Sequence, residues 1–204
     1  MSRRRRDGER GASIVELALI APVLIMLAIG AVEVGIAWTR AQAVVQATAT
    51  GARTATQSGV AVQADHAALR SIKAGLGDNW AAIERVVVYE ADSAGNGQPP
   101  AACIATGVTT GPSGTNCNVY TGADLAEIDD GDGTDDDHFA DGPDCGSGRS
   151  ANWCPSDRDA DLRTAQWLGV WVEYEQAWLS GAIPFVGDFT IIEHTVMRLE
   201  PRAV

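Results

Sequence analysis

The feature that most constrains this chain is an apolar run close to its N-terminus. Residues 14–38 read IVELALIAPVLIMLAIGAVEVGIAW, and residues 17–32 within them carry no charged side chain. A helix of about 25 residues is roughly 37 Å long, which is enough to cross a hydrocarbon core of about 30 Å. Because a backbone in lipid must satisfy its own hydrogen bonds, we expect a transmembrane helix here, running through Pro22.

The charges are unevenly distributed along the 204 residues. Arginines at Arg3–Arg6 and Arg10 precede the apolar run, whereas the rest of the chain brings the formal net charge to −12. A basic tip before a spanning helix is typical of proteins whose N-terminus stays in the cytoplasm. The overall acidity argues against nucleic acid as a partner, because phosphate binding needs a basic surface.

Three kinds of N-terminal segment share this layout. A cleaved secretory signal has a shorter apolar core and a small-x-small exit site, whereas this run is long and leads into further helix. A simple signal anchor fits the length and the charges but leaves Glu16 unexplained. A carboxylate at the edge of a spanning helix is costly unless it is paired, so Glu16 is a candidate functional residue.

The third kind of segment supplies a partner for this carboxylate. Residues 11–16, with the sequence GASIVE, lie between a basic leader and an apolar helix and resemble a prepilin peptidase site. The resemblance implies a cut between Gly11 and Ala12, which leaves Glu16 as the fifth residue of the mature chain. The new α-amine would be a positive charge at membrane depth. Glu16 would neutralise it, in its own chain or in a neighbouring subunit.

A narrower resemblance rests on the residues that follow. They are RGASIVELAL at residues 10–19, then Ala21-Pro22, Gly30 and Glu33-Val34-Gly35. The segment through residue 53 resembles the TadE-like family of minor pseudopilins, in which phenylalanine often stands where this chain has Leu17. The resemblance implies a pilin-type, single-pass protein of the bacterial inner membrane that helps to assemble a tight-adherence (Flp) pilus. Its implied partners are the prepilin peptidase, other pilus subunits and the proteins of the assembly platform.

Beyond the apolar run, the pattern predicts an α+β head. The first helix continues through alanine-rich residues, which either let a neighbouring helix approach or simply favour helix, and Gly59 is expected to end it. Residues 60–75 have the spacing of an amphipathic helix. Three segments have the composition or alternation of strands, namely residues 84–90, 166–175 and 188–199. They predict a small antiparallel sheet packed on the helical stem.

The chain is therefore expected to have three parts. These are a basic leader at 1–11, a TadE-like segment at 12–57 with its spanning helix at about 14–38, and an exported head at 58–204. The head contains a long acidic loop at 91–161, rich in glycine, proline, asparagine, aspartate and serine. A loop of this length in a compact domain is usually functional or disordered.

All four cysteines lie in this loop, at Cys103, Cys117, Cys145 and Cys154. An even number of cysteines in an exported domain predicts two disulfides that staple the loop. Local pairing, Cys103 with Cys117 and Cys145 with Cys154, closes the shortest loops, although three connectivities are open. A structural zinc site is the alternative, but the sequence has no CxxC pair.

The acidic part of the loop is the candidate for metal chemistry. Residues 129–137 read DDGDGTDDD, and closely spaced carboxylates are the oxygen ligands that Ca²⁺ prefers. Asp130, Asp132 and Asp135 are the candidate ligands, but glycine is missing from the position where an EF-hand loop needs it. Residues 157–161 repeat the alternating acids without that glycine. The alternative is a solvated acidic loop whose charges repel one another, with no cofactor.

The sequence contains no motif of an enzyme. The three histidines are scattered, Ser147 lacks the GxSxG context of a hydrolase, and there is no P-loop or GxGxxG motif. The leading hypothesis is therefore a non-enzymatic minor pseudopilin that acts through helix packing and surface presentation. The alternative is a permanently anchored surface protein whose acidic loop binds calcium or another ligand.

Overall fold

The elements of the chain confirm the α+β class. A computed structural model describes residues 4–92, 97–128, 145, 151–178 and 188–201, with side chains from residue 13 onward. Among these residues the helices and strands are α1 (Arg4–Ser58), α2 (Ala64–Leu76), β1 (Ile83–Ala91), β2 (Cys117–Thr121), α3 (Gly122–Glu127), β3 (Trp167–Gln176) and β4 (Phe189–Arg198). Short 3-10 helices are at Gly77–Ala82, Ala151–Trp153 and Pro155–Asp157.

Helix α1 is one continuous element of 55 residues that contains Pro22. The helix ends at Ser58, just before Gly59, as predicted from the sequence. Gly59 has a φ of +58°, and its N–H donates a hydrogen bond to the carbonyl of Ala55 at 3.1 Å. Glycine adopts this left-handed conformation without a steric cost. The chain divides into two compact units, residues 1–40 with 177–187 and residues 41–176 with 188–204. The last third of α1 therefore folds with the head.

The four strands form one antiparallel sheet in the order β2-β1-β3-β4. Strands β1, β3 and β4 lie at the three predicted segments, whereas β2 lies inside the stretch predicted as a loop. Strand β2 pairs with β1 from Thr121 opposite Arg85 to Cys117 opposite Tyr89. A strand of five residues among glycines and asparagines is too short for its alternation to be recognised.

One face of the sheet is covered by α1 and α2. A Cβ on Gly51 would lie 2.5 Å from Cγ1 of Ile72, and a Cβ on Gly75 would lie 3.2 Å from Cβ of Ala47. Small residues at this crossing let the two helices approach closely, so they serve packing within the chain. The core on this face includes the buried residues Val44, Ala47, Ala52, Ala55, Ala68, Leu69, Ile72, Leu76, Val86, Val88, Leu168, Val170 and Val172.

The opposite face of the sheet is covered by residues 97–116, which we call the cover segment. The Cys103–Cys117 disulfide joins this segment to the start of β2. The buried residues on this face are Val87, Tyr89, Ala91, Cys103, Cys117, Val119 and Trp171. The sequence predicted a half-buried β3, but its central residues are buried on both faces because the cover segment excludes water from the second one.

A close contact between β1 and β3 depends on a glycine. Tyr89 lies directly opposite Gly169, and a Cβ on Gly169 would lie 2.1 Å from Cζ of the tyrosine ring. The Tyr89 hydroxyl donates a hydrogen bond to the carbonyl of Gly97 in the cover segment, at 2.8 Å. Burial raises the pKa of Tyr89 to about 12. The phenol therefore stays protonated and keeps its donor over the physiological pH range.

Gly169→Ala is expected to destabilise the head. The added methyl group must displace the Tyr89 ring, and overpacking of this kind costs about 1–3 kcal/mol. Denaturant unfolding of the full chain in detergent micelles, followed by tryptophan fluorescence, measures the difference. Gly35→Ala is the matched control, because a Cβ at Gly35 meets nothing within 4 Å. Equal stability of the two variants would contradict the expected clash.

Candidate functional site

The N-terminal candidate site lies on α1. Gly11, Ala12 and Glu16 all belong to this helix, and the side chain of Glu16 is exposed. Four residues of α-helix advance about 6 Å and return to nearly the same face. The backbone nitrogen of Ala12 and the side chain of Glu16 are therefore one helical turn apart. An α-amine created at Ala12 would lie within one turn of this carboxylate.

The same helix contains the candidate membrane span. In the part of α1 from residue 13 to residue 58, an 18-residue window has a mean hydropathy of 2.5, and none of that window is buried. Large apolar side chains such as Leu19 and Met26 are each 73% exposed. Soluble monomers rarely expose a continuous apolar surface of this size. By length and composition, α1 can cross a membrane, which is consistent with a membrane-anchored protein.

Both predicted disulfides are present in the head. Cys103 is bonded to Cys117 and Cys145 is bonded to Cys154, with sequence separations of 14 and 9. This is the local pairing that the loop lengths favoured. With all four sulfurs in disulfides, no thiolate is left to bind zinc.

A buried ion pair connects α2, β2 and the segment at 151–158. Arg158 Nη1 lies 2.8 Å from Oδ1 of Asp65, and both side chains are fully buried. Oδ2 of Asp65 accepts hydrogen bonds from Arg158 Nη2, Asn118 Nδ2 and the Tyr120 hydroxyl, each at 2.8 Å. The guanidinium of Arg158 also stacks on the Trp153 ring, 4.2 Å from its centroid. A buried charge is tolerated only when it is paired and hydrogen-bonded, and this network meets that condition for the carboxylate.

Two anchors flank the acidic part of the loop. On its N-terminal side, Lys73 donates hydrogen bonds to the carbonyl of Leu125, at 2.8 Å, and to the carbonyl of Ile128. On its C-terminal side, Asn118 donates to the carbonyl of Trp153 and accepts from its N–H, at 2.8 and 2.9 Å. Residues 128 and 151–153, which flank the acidic part of the loop, are therefore fixed to the head by these hydrogen bonds.

A groove of about 750 Å³ opens at one end of the sheet, and four charged residues line it. Arg85 and Glu173 form an ion pair at 2.6 Å. Glu84 and Glu175 also line the groove, and neither forms an ion pair within the part of the chain that the structure describes. Repulsion from the charge of Glu84, together with desolvation, raises the pKa of Glu175. This end of the sheet therefore carries an uncompensated negative charge.

The predicted calcium ligands Asp130, Asp132 and Asp135 lie outside the described residues, as does Ser147. Within the described ranges, no three His, Cys, Asp or Glu side chains converge on a point that could hold a metal ion. Asp159, from the second run of acids, accepts a hydrogen bond from the N–H of Asp161 at 2.8 Å. This bond, together with one from Thr164, lowers the pKa of Asp159. Its carboxylate therefore stabilises a turn.

Comparison with known proteins identifies the N-terminal segment. The family model described as TadE-like protein matches residues 11–53, which confirms the resemblance predicted from the sequence. No curated protein and no solved structure gave a significant match to the chain. The matched segment indicates a role related to the tight-adherence pilus, in a family that is associated with pilus components and is not enzymatic.

The polar network of the head was not predicted from the sequence. Arg158 is 93 residues away from Asp65, so no local pattern joins the two. One signal was available for Asp65, since it precedes Leu69 and Ile72 by four and seven residues on α2. An acid on the apolar face of an amphipathic helix is unusual and indicates a buried partner.

Arg158→Met is expected to destabilise the head strongly. It leaves the buried carboxylate of Asp65 without its cation, and removing one partner of a buried pair costs about 3–5 kcal/mol. Chemical denaturation of the full chain measures this loss. Arg163→Met is the control, because Arg163 is exposed. If Arg158→Met lost no more stability than the control, the ion pair would not be holding the segment.

Glu175→Gln is expected to stabilise the head at neutral pH. The pKa of Glu175 is raised in the folded chain, so folding is favoured while the carboxyl is protonated and disfavoured as the pH rises through that pKa. The melting temperature of the variant should exceed that of the unmodified chain at pH 7. The difference should vanish below a pH of about 4, where the carboxyl is protonated in both states. A lower melting temperature at neutral pH would contradict the repulsion from Glu84.

Proposed function

We propose that this chain is a minor pseudopilin that takes part in assembly of a tight-adherence (Flp) pilus. The observation that carries the proposal is the TadE-like match over residues 11–53, which begins at the glycine of the proposed cleavage site. The spanning length and exposed apolar surface of α1 support it. The protein needs no catalysis for this role, because it acts by packing its helix and presenting its head.

In this proposal a prepilin peptidase cuts between Gly11 and Ala12 and removes the basic leader. The new amine then lies one helical turn from Glu16, and the pair is far less costly in lipid than two separate charges. The same carboxylate can pair with the amine of a neighbouring subunit when helices come together. Glu16 would therefore act in assembly and not only in insertion.

The proposed location is the bacterial inner membrane, with the N-terminus in the cytoplasm and the head outside it. The arginines of the leader support this orientation, because basic residues favour the cytoplasmic side. The two disulfides support it independently, because such bonds persist in oxidising compartments. The partners in this proposal are other pilus subunits and the proteins of the assembly platform.

Processing is tested by the intact mass of the protein from cells with and without the prepilin peptidase. We expect a mature chain that begins at Ala12 only where the peptidase is present. An uncut N-terminus in both strains would overturn the proposal.

The role of Glu16 is tested by comparing Glu16→Gln with Glu16→Asp. We expect the glutamine variant to insert and to be processed, but to co-purify with fewer pilus subunits, since the amine at Ala12 loses its partner. The aspartate variant keeps the charge and should retain most of the association. Equal recovery of subunits with both variants would remove Glu16 from the assembly mechanism.

A second candidate function is a permanently anchored surface protein whose acidic loop binds Ca²⁺. The observation that favours it is the fixing of residues 128 and 151–153 to the head, which would hold both ends of such a loop. This function predicts an uncleaved N-terminus and heat of binding when the full chain is titrated with Ca²⁺ in detergent micelles. No heat at millimolar metal would eliminate it.

A further inference from the structure

The cover segment differs in charge from the rest of the head. Residues 93–123 contain no charged side chain, although the whole chain has a formal net charge of −12. The surface of a soluble domain is normally kept hydrated by interspersed charges. In the cover segment, which is residues 97–116 of this stretch, hydroxyl side chains and glycines stand in their place.

Four hydroxyl side chains of the cover segment are exposed, namely those of Thr106, Thr109, Thr110 and Ser113. In the part of the chain that the structure describes, none of these four forms a hydrogen bond. The fifth hydroxyl, that of Thr115, is partly buried and donates to the carbonyl of Pro112. Five threonines of α1 also donate to backbone carbonyls, namely Thr39, Thr48, Thr50, Thr54 and Thr56. The four exposed hydroxyls are therefore available for chemistry, whereas these other six serve the backbone.

The backbone that carries the four hydroxyls is irregular but fixed in place. The cover segment contains no helix or strand, and Gly107 and Gly114 both have a φ of +80°. Arg85 of β1 donates hydrogen bonds to the carbonyls of Ile104 and Ala105, at 3.3 and 2.8 Å. An enzyme can reach side chains on such a surface loop without opening a helix or a sheet.

Two of the four hydroxyls open onto the groove at the end of the sheet. Thr106 and Thr109 line this groove of about 750 Å³ together with Glu84 and Glu175. Its volume is in the range of sites for small organic molecules, about 300–1,000 Å³. Repulsion from Glu84 raises the pKa of Glu175, so the two carboxylates lie close enough to share hydrogen-bond donors.

The groove suits a neutral sugar better than a phosphoryl group. The ring hydroxyls of a sugar donate hydrogen bonds to carboxylates and bring no charge. A phosphoryl group on Thr106 or Thr109 would bring about 1.5–2 negative charges beside Glu84 and Glu175, and the carboxylates would repel it.

We propose that Thr106 and Thr109 are acceptors of an O-linked neutral sugar, whose first ring lies in the groove against Glu84 and Glu175. Segments rich in serine and threonine that contain proline have the composition of O-glycosylated chains. The inference goes beyond the proposed pilus function and takes from it only the location of the head outside the cytoplasm. In this reaction the chain is the acceptor, and a separate glycosyltransferase supplies the catalysis.

The donor is a sugar joined through its anomeric carbon to the phosphate of a membrane lipid. The threonine Oγ forms a bond to the anomeric carbon, while the bond from that carbon to the phosphate oxygen breaks. The hydroxyl proton passes to a basic side chain of the transferase, and the lipid phosphate leaves with the bonding electrons. Nothing is oxidised or reduced, so no further reactant is needed.

Mass spectrometry of the full chain purified from its native bacterium tests the proposal. After reduction of the disulfides, cleavage at acidic residues releases residues 93–124, because no acid lies between Asp92 and Asp124. We expect this fragment to exceed its sequence mass by whole neutral sugar residues. Fragmentation that preserves the glycosidic bond should locate them on Thr106, on Thr109 or on both.

Matched variants separate the groove hydroxyls from their neighbours. Thr106→Val with Thr109→Val removes only hydroxyls at exposed positions and should return the fragment to its sequence mass. Thr106→Ser with Thr109→Ser keeps both nucleophiles and should retain the sugar. Thr110→Val with Ser113→Ala removes the exposed hydroxyls that do not line the groove and should also retain it.

Four results would overturn the proposal. They are a native fragment at its sequence mass, a mass excess that persists in the double valine variant, a sugar located on Thr110 or Ser113, and an excess that corresponds to phosphate. The N-terminal cut is measured on a different peptide. A chain that begins at Ala12 but has an unmodified 93–124 fragment would therefore remove this inference and leave the proposed function in place.

Discussion

Helix α1 carries two different kinds of surface along one continuous backbone. From residue 14 to residue 38 it presents large apolar side chains outward, and from residue 44 to residue 55 it packs small ones against α2 and the sheet. A protein core in water gains from close packing, whereas lipid solvates leucine and isoleucine as well as a protein does. The change from bulky aliphatic residues to alanine and glycine near residue 40 is consistent with a candidate membrane span that continues into a packed head. The head is built on the second part of the helix.

The head depends on specific links as much as on its core. The cover segment contains no helix or strand, and residues 151–158 contain only two short 3-10 helices, so backbone ladders contribute little to holding either of them to the sheet. The Cys103–Cys117 disulfide ties one to the sheet, and the Asp65–Arg158 ion pair ties the other to α2 and β2. A buried ion pair adds modest net stability compared with an apolar contact, but it allows only one arrangement of its partners. These links therefore hold the cover segment and residues 151–158, which lie on either side of the acidic part of the loop, in one arrangement.

Much of the fold was predictable where the pattern is local. The end of α1 at Gly59, the helix α2 and three strands follow from glycine placement, helical spacing and alternation. Strand β2 was not predictable, because five residues between glycines and asparagines become a strand only by pairing with β1. The prediction of a half-buried β3 was also wrong for the centre of the strand, because the sequence does not show that the cover segment lies over Val87 and Trp171. Of the candidate sites, the one formed by Gly11, Ala12 and Glu16 depends only on the order of neighbouring residues in the sequence. The Asp65 network, in contrast, joins residues that are far apart in the chain.

The sequence by itself determined the apolar helix, the one-turn relation between Ala12 and Glu16, and the class of segment matched at residues 11–53. These are properties of neighbouring residues, fixed by the rise and period of a helix and by the cost of charge near lipid. Only the tertiary structure decided which small residues of α1 meet α2, which carboxylate takes Arg158, and the order in which the four strands pair. Those outcomes depend on contacts between residues distant in sequence, and no local pattern encodes them.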